Sequence, residues 1–254
     1  MGAFEGKVVL VTGGGTGIGR AIAERFHREG AGLVLCGRRV EILEKAQREI
    51  DPAGERFLCL KADIGREKDV VHLMEAALAW KGRIDVLVNN AAAMRCNKAP
   101  EDTSLAEWRE VIDTNVTGTF LCCREAGKAM IRQNGGRIIN IASMSGMIVN
   151  RYFHGGSYDV SKAAVIMLTK TLATEWARYN IGVLAVAPGY YDTEANRVFF
   201  RQKPELEQMV RELIPMGRLG NLEELADLIL TLAGPAANYM TGSTLLIDGG
   251  YTLW

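Results

Sequence analysis

Tyr158 and Lys162 stand four residues apart in Ser157-Tyr158-Asp159-Val160-Ser161-Lys162. On a helix both side chains leave the same face. A phenol titrates near ~10, too high for a good base at neutral pH, and a neighbouring ammonium favours the phenolate. The pair is therefore expected to act as a proton-transfer device in which Lys162 lowers the pKa of Tyr158. Such spacing is weak on its own, so its context decides. Ser143 closes the apolar run Ile141-Ala142-Ser143, which reads as a strand end and sets its hydroxyl at the carboxyl edge of a sheet. Asn115 is polar within the apolar-rich stretch Ser104 to Gln133, read as one long helix, and an amide there needs partners.

A second group can hold an anion. Thr12-Gly13-Gly14-Gly15-Thr16-Gly17-Ile18-Gly19 joins an apolar run to an amphipathic stretch, where backbone N–H groups and a helix N-terminus can approach a pyrophosphate. Gly14 and Gly19 have P-loop spacing, but Arg20-Ala21 replaces the Lys and Ser/Thr that a nucleoside triphosphatase requires. The next strand ends Leu35-Cys36-Gly37-Arg38-Arg39. A dinucleotide fold usually carries a carboxylate there for the adenosine ribose; two guanidinium groups suit a 2′-phosphate instead. NADP(H) is the expected cofactor.

The elements that position these groups follow from periodicity. Strands are predicted at Lys7 to Thr12, Gly32 to Cys36, Arg56 to Lys61, Ile84 to Val88, Arg137 to Ala142, Gly182 to Ala187 and Ser243 to Ile247. Helices are predicted at Gly17 to Glu29, Val40 to Ile50, Glu67 to Trp80, Ser104 to Gln133, Tyr158 to Tyr179 and Leu222 to Ala233. This alternation implies an α/β, doubly wound, seven-stranded parallel sheet with helices on both faces, in a single domain over 1–254. The stretch 190–216 has no strand and carries Tyr190, Tyr191, Phe199 and Phe200; it is expected to be a substrate lid.

Composition sets outer bounds. Thirty basic and thirty acidic residues cancel, which disfavours a nucleic-acid or membrane-surface partner. Five scattered cysteines without a CxxC pair fit a reducing compartment, and the three histidines give no zinc-like spacing, so no metal is expected. The first apolar run is too short for a signal peptide or a membrane span, making the cytoplasm the expected location.

Thr12-Gly13-x-x-x-Gly17-Ile18-Gly19, Asn89-Asn90-Ala91-Ala92, Asn115, Ser143, Tyr158-x-x-x-Lys162 and Pro188-Gly189 with Thr193 occur in the order of the short-chain dehydrogenase/reductase family. The chain resembles that family over almost its whole length. The resemblance implies that Tyr158 is the general acid in reduction and the base in oxidation, and that Ser143 hydrogen-bonds the substrate oxygen. It implies that Lys162 holds the nicotinamide ribose and Asn115 supports a proton-relay water. It places the cofactor along Gly13, Thr16, Gly17, Ile18 and Gly19, then Arg38, Arg39, Asp63 and Ile64, then Asn90, Ala91, Pro188, Gly189 and Thr193, beside Tyr158 and Lys162. A homotetramer is also implied. Three departures stand out: a Ser143 to Tyr158 interval about two residues longer than usual, Ala92 where Gly is usual, and Leu184 where Asn is frequent.

Within the resemblance, the substrate lies among Met94, Arg95 and Asn97, then Ser145, Met147, Asn150, Arg151 and His154, then Tyr190 onward. An aromatic floor with a polar rim suits a small hydroxylated molecule, and these stretches resemble the branch of gluconate 5-dehydrogenases and sorbose, xylulose and mannitol-type reductases. The expected substrate is a sugar, polyol or keto-sugar acid, with Arg95 or Arg151 available to a carboxylate. A 3-oxoacyl-thioester reductase and a non-catalytic dinucleotide-binding regulator are the alternatives.

Overall fold

Val8 and Leu10 face one side of the first strand and Val9 and Val11 the other, and all four are buried. A strand apolar on both faces must lie inside a sheet covered on both sides. The computed structural model describes residues 2–94, 98–150, 153 and 155–254. Its strands are β1 (Val8–Thr12), β2 (Gly32–Gly37), β3 (Phe57–Lys61), β4 (Val86–Asn89), β5 (Gly136–Ile141), β6 (Ile181–Pro188) and β7 (Thr244–Ile247). They form one seven-stranded parallel sheet in the order β3-β2-β1-β4-β5-β6-β7.

The helices are α1 (Gly17–Arg28), α2 (Val40–Ile50), α3 (Glu67–Lys81), α4 (Leu105–Ile112), α5 (Thr119–Gln133), α6 (Ser157–Trp176), α7 (Glu194–Gln202), α8 (Pro204–Leu213) and α9 (Leu222–Ala233). Ile22 and Phe26 of α1, Leu43 of α2 and Ile229 of α9 pack with Val9 and Val11 on one face. Leu73 of α3, Met130 of α5 and Leu172 of α6 pack with Val8 and Leu10 on the other. Phe26 is fully buried, and truncating such a ring to Ala costs about 3–5 kcal/mol. Leu184 is also fully buried in the first of these cores, which accounts for an apolar residue there. β1 lies between β2 and β4, so chain order reverses at that point and a crevice opens beyond the carboxyl ends of β1 and β4.

Three local readings change. Ile84 is not in β4, because its N–H donates to Gln133 Oε1 and its carbonyl accepts from Gln133 Nε2, each at 3.0 Å. The long helix is interrupted: α4 and α5 are joined by a π-helical turn at Asp113–Gly118. The 190–216 stretch folds into α7 and α8, with Thr193 capping the first and Pro204 opening the second.

Candidate active site

The glycine turn sits at the carboxyl end of β1. Gly17 opens α1 with φ +51°, a left-handed value that glycine adopts at no steric cost, and a Cβ on Gly19 would run into the Gly13 carbonyl. Thr16 makes no side-chain cap and the first turn of α1 carries no acidic residue, so its N–H groups face outward for an anion. The turn is held from β4. Thr12 Oγ1 accepts from Asn90 N and Ala91 N, both at 2.9 Å, while Asn90 Nδ2 donates to Thr12 O at 2.9 Å and Gly13 O at 3.2 Å. Asn90 therefore braces the cradle with its amide.

Beyond β2, Arg38 and Arg39 are both exposed, and neither takes an ion-pair partner among the described residues. Asp63 Oδ1 accepts from Gly65 N at 3.1 Å, and Ile64 is buried against Gly118 of the π turn. Gly189 follows Pro188 at the end of β6, bonded to Ile247 O at 3.0 Å. Thr193 Oγ1 accepts from Asn196 N at 3.1 Å, and its methyl lies 3.9 Å from where a Gly17 Cβ would stand, so α7 begins directly across from the glycine turn. A Cβ-free turn, a free helix N-terminus and, beyond β2, two exposed cations are features that fit a nicotinamide dinucleotide.

Ser143, Tyr158 and Lys162 meet beside it. Ser143 is buried at the end of β5, accepts from Ser145 N at 3.1 Å through Oγ, and hydrogen-bonds Tyr158. Lys162 Nζ donates to Ile141 O at 2.7 Å and lies 5.6 Å from the centre of the Tyr158 ring. Burial pushes Lys162 down to about 8. Burial also raises Tyr158; the hydrogen bond from Ser143 opposes that rise, and the Asp159 charge adds to it. The phenol thus sits above its ordinary value, the reverse of the acidification expected from Lys162.

Asn115 is buried inside the π turn. Its Oδ1 accepts from Ala93 N at 2.7 Å, and its Nδ2 donates to Ala93 O at 3.0 Å and Ser161 Oγ at 2.9 Å. Both amide protons are thereby engaged. A buried polar row lies deeper: Asn89 Nδ2 donates to Asn140 Oδ1 at 2.8 Å, and Asn140 Nδ2 to Thr169 Oγ1 at 2.9 Å, linking β4, β5 and α6.

On the substrate side, Tyr190 stacks edge-on against Tyr251 at 5.5 Å and tilts over Phe153 at 6.3 Å. Burial raises its pKa, as do Tyr251 and the charges of Asp159 and Tyr158. Ser145 is buried beside Ser143, while Met94 is exposed. Arg95, Asn97, Arg151 and His154 lie outside the described residues. A separate cavity of about 210 Å³ on the Tyr190 and Tyr191 side is bordered by Arg218, Glu224 and Asp248 and includes none of Ser143, Tyr158 and Lys162. Sequence reasoning passed over Asp159, which hydrogen-bonds Ser145 and is raised by burial. Its only signal was a carboxylate in the first turn of α6, which looks like ordinary helix-dipole complementarity.

A family model described as enoyl-(acyl carrier protein) reductase matches residues 13–252. The chain is 41% identical over 254 residues to galactitol 2-dehydrogenase (L-tagatose-forming) of Cereibacter sphaeroides, covering 99% of this chain and 97% of that one. It is 40% identical over 253 residues to 3beta-hydroxysteroid dehydrogenase 1 of Eggerthella lenta, covering 99% and 95%. The Pseudomonas aeruginosa RhlG/NADP active-site complex matches with a TM-score of 0.90 at 33% identity over 99% of each chain.

Proposed function

The chain belongs to the short-chain dehydrogenase/reductase family, and from that premise we propose that this oxidoreductase works on a sugar alcohol, polyol or keto-sugar acid with NADP(H). The bound nicotinamide supplies or takes up the hydride. Ser143 holds the substrate oxygen, and Tyr158 passes a proton to it in reduction. Reduction starts from the protonated phenol, the form that burial favours. Lys162, fixed by Ile141 O, holds the nicotinamide ribose. Asn115 supports the proton relay through the main chain of the π turn, since its side-chain N–H groups are engaged.

The observation that carries the chemistry is the convergence of Ser143, Tyr158 and Lys162 on one edge of the glycine-turn cleft. NADP(H) over NAD(H) rests on the exposed Arg38 and Arg39 and the absence of a carboxylate at the end of β2. The polyol class rests on the 41% identity with galactitol 2-dehydrogenase and on the polar groups beside Tyr158. We place α7 and α8 as the lid over the substrate. We place the enzyme in the cytoplasm as a homotetramer, with exposed Trp108, Phe120, Val160 and Met167 on the α4 to α6 side as the apolar face for self-association.

The similarity to a 3beta-hydroxysteroid dehydrogenase supports a second reading, a cyclic hydroxyl substrate. One panel decides: galactitol, sorbitol, fructose, 5-ketogluconate, an acetoacetyl thioester and a 3β-hydroxysteroid, each with both nicotinamides. Turnover confined to the thioester or the steroid overturns the polyol assignment. Equal kcat/KM with NAD(H) overturns the cofactor preference.

A further inference from the structure

Around Ser145 the hydrogen bonds run in one direction. Asn150 Nδ2 donates to Ser145 Oγ at 2.8 Å. That leaves the single hydroxyl proton of Ser145 for its bond to the Asp159 carboxylate. Asn150 is 8% exposed and its Oδ1 is buried with no partner among the described residues; Asp159 is half-buried, and its Oδ1 is likewise buried with no partner among them. Buried acceptors without donors are rare and costly, so two flanking one serine call for an explanation. Gly155 leaves the room that the carboxylate occupies, since a Cβ there would overlap it. Asp159 follows Tyr158 in the chain, hydrogen-bonds Ser145 and bears electrostatically on Tyr190 of the aromatic floor.

Both orphaned atoms are acceptors, so the complementary ligand is a donor. A hydroxyl on a carbon near the reacting one meets that demand; a fatty acyl chain or steroid ring carries none there. We infer that Asp159, oriented by Ser145 and Asn150, is a substrate-binding residue that accepts a hydrogen bond from a second hydroxyl of the substrate, selecting a polyol over a mono-alcohol. The inference rests on the polyol reading above and assigns that preference to one carboxylate. A site built to hydrogen-bond a substrate hydroxyl rejects an analogue lacking it far more strongly than an apolar pocket can.

The test compares wild type, Asp159→Ala and Asp159→Asn on galactitol and on cyclohexanol, with melting temperature followed in parallel. Asp159→Ala should lower the galactitol-to-cyclohexanol ratio of kcat/KM at least tenfold, and Asp159→Asn, which keeps the shape and one acceptor, should lower it less. Where cyclohexanol turns over too slowly to rate, the same conclusion is read in galactitol alone: a KM raised tenfold or more with kcat within threefold. An unchanged ratio, or a loss of kcat at unchanged galactitol KM, overturns the inference while leaving a polyol-active wild type intact. A wild type that oxidises cyclohexanol but no polyol sinks the substrate class itself. Should the alanine variant fail to fold, the asparagine variant carries the same comparison.

Discussion

The glycine turn and the surroundings of Ser145 are built on opposite principles. At the turn, the polar groups of Thr12 and Asn90 bond to one another and leave the N-terminus of α1 to present its N–H groups. Around Ser145, Asn150 and Asp159 each keep a buried acceptor with no donor among the described residues. A cradle for a ligand common to a whole family can be finished internally. A pocket that distinguishes substrates leaves part of its bonding to be completed by the molecule it selects.

This contrast can be broken at several points. Tyr158→Phe removes the proposed proton donor and should lower kcat about 10²–10⁴-fold, with dinucleotide affinity kept, as read by fluorescence titration; substantial residual turnover would falsify its role. On the cradle side, Gly37→Asp with Arg38→Leu should weaken NADP(H) binding roughly 10–100-fold relative to NAD(H), the loss of one or two charge-assisted bonds. An Asp there meets only an ordinary 3.6 Å contact with Leu43, so a poor fold is not the expected cause of any change.

The raised phenol gives a pH prediction with a definite sign. Oxidation needs the phenolate, and burial keeps that form scarce near neutrality. Its rate should climb by about tenfold per unit towards alkaline pH. Reduction needs the protonated form and should stay level through neutral pH, declining only on the alkaline side. An oxidation profile already flat at pH 7 would show that the acidified phenol expected from the sequence is right after all. The smallest effect compares two asparagines. Asn90→Ala strips bonded groups from the cradle and should cost about 1–3 kcal/mol of stability in chemical denaturation. Asn150→Ala removes an atom that is already unsatisfied along with its bond to Ser145, and should cost less.

Much of this was legible in the residues. Seven β-branched runs alternating with amphipathic helical stretches announced seven parallel strands, and the order of Gly17, Gly19, Ser143, Tyr158 and Lys162 announced the family's site. What escaped reading depends on partners far away in the chain. The π turn is fixed by Ile64, Ala93 and Ser161, none of them near Asn115 in sequence. The rise in Tyr158 comes from burial, which no spacing reveals. Helices α7 and α8 were signalled by Thr193 and by Pro204 with Glu205 and Glu207, but their apolar faces are short. Asp159 looked like helix chemistry until its neighbours were known.

The buried row through Asn140 has a mechanical consequence. Thr169 ties α6 to β5 through Asn140, and Lys162, seven residues earlier, ties it again through Ile141. Two anchors nearly two turns apart stop the helix from rolling or sliding along the sheet. The tyrosine is therefore carried on a stationary jaw whose backbone amides should be among the last to exchange with deuterium. If α7 and α8 form the proposed lid, their amides should exchange sooner than those of α6.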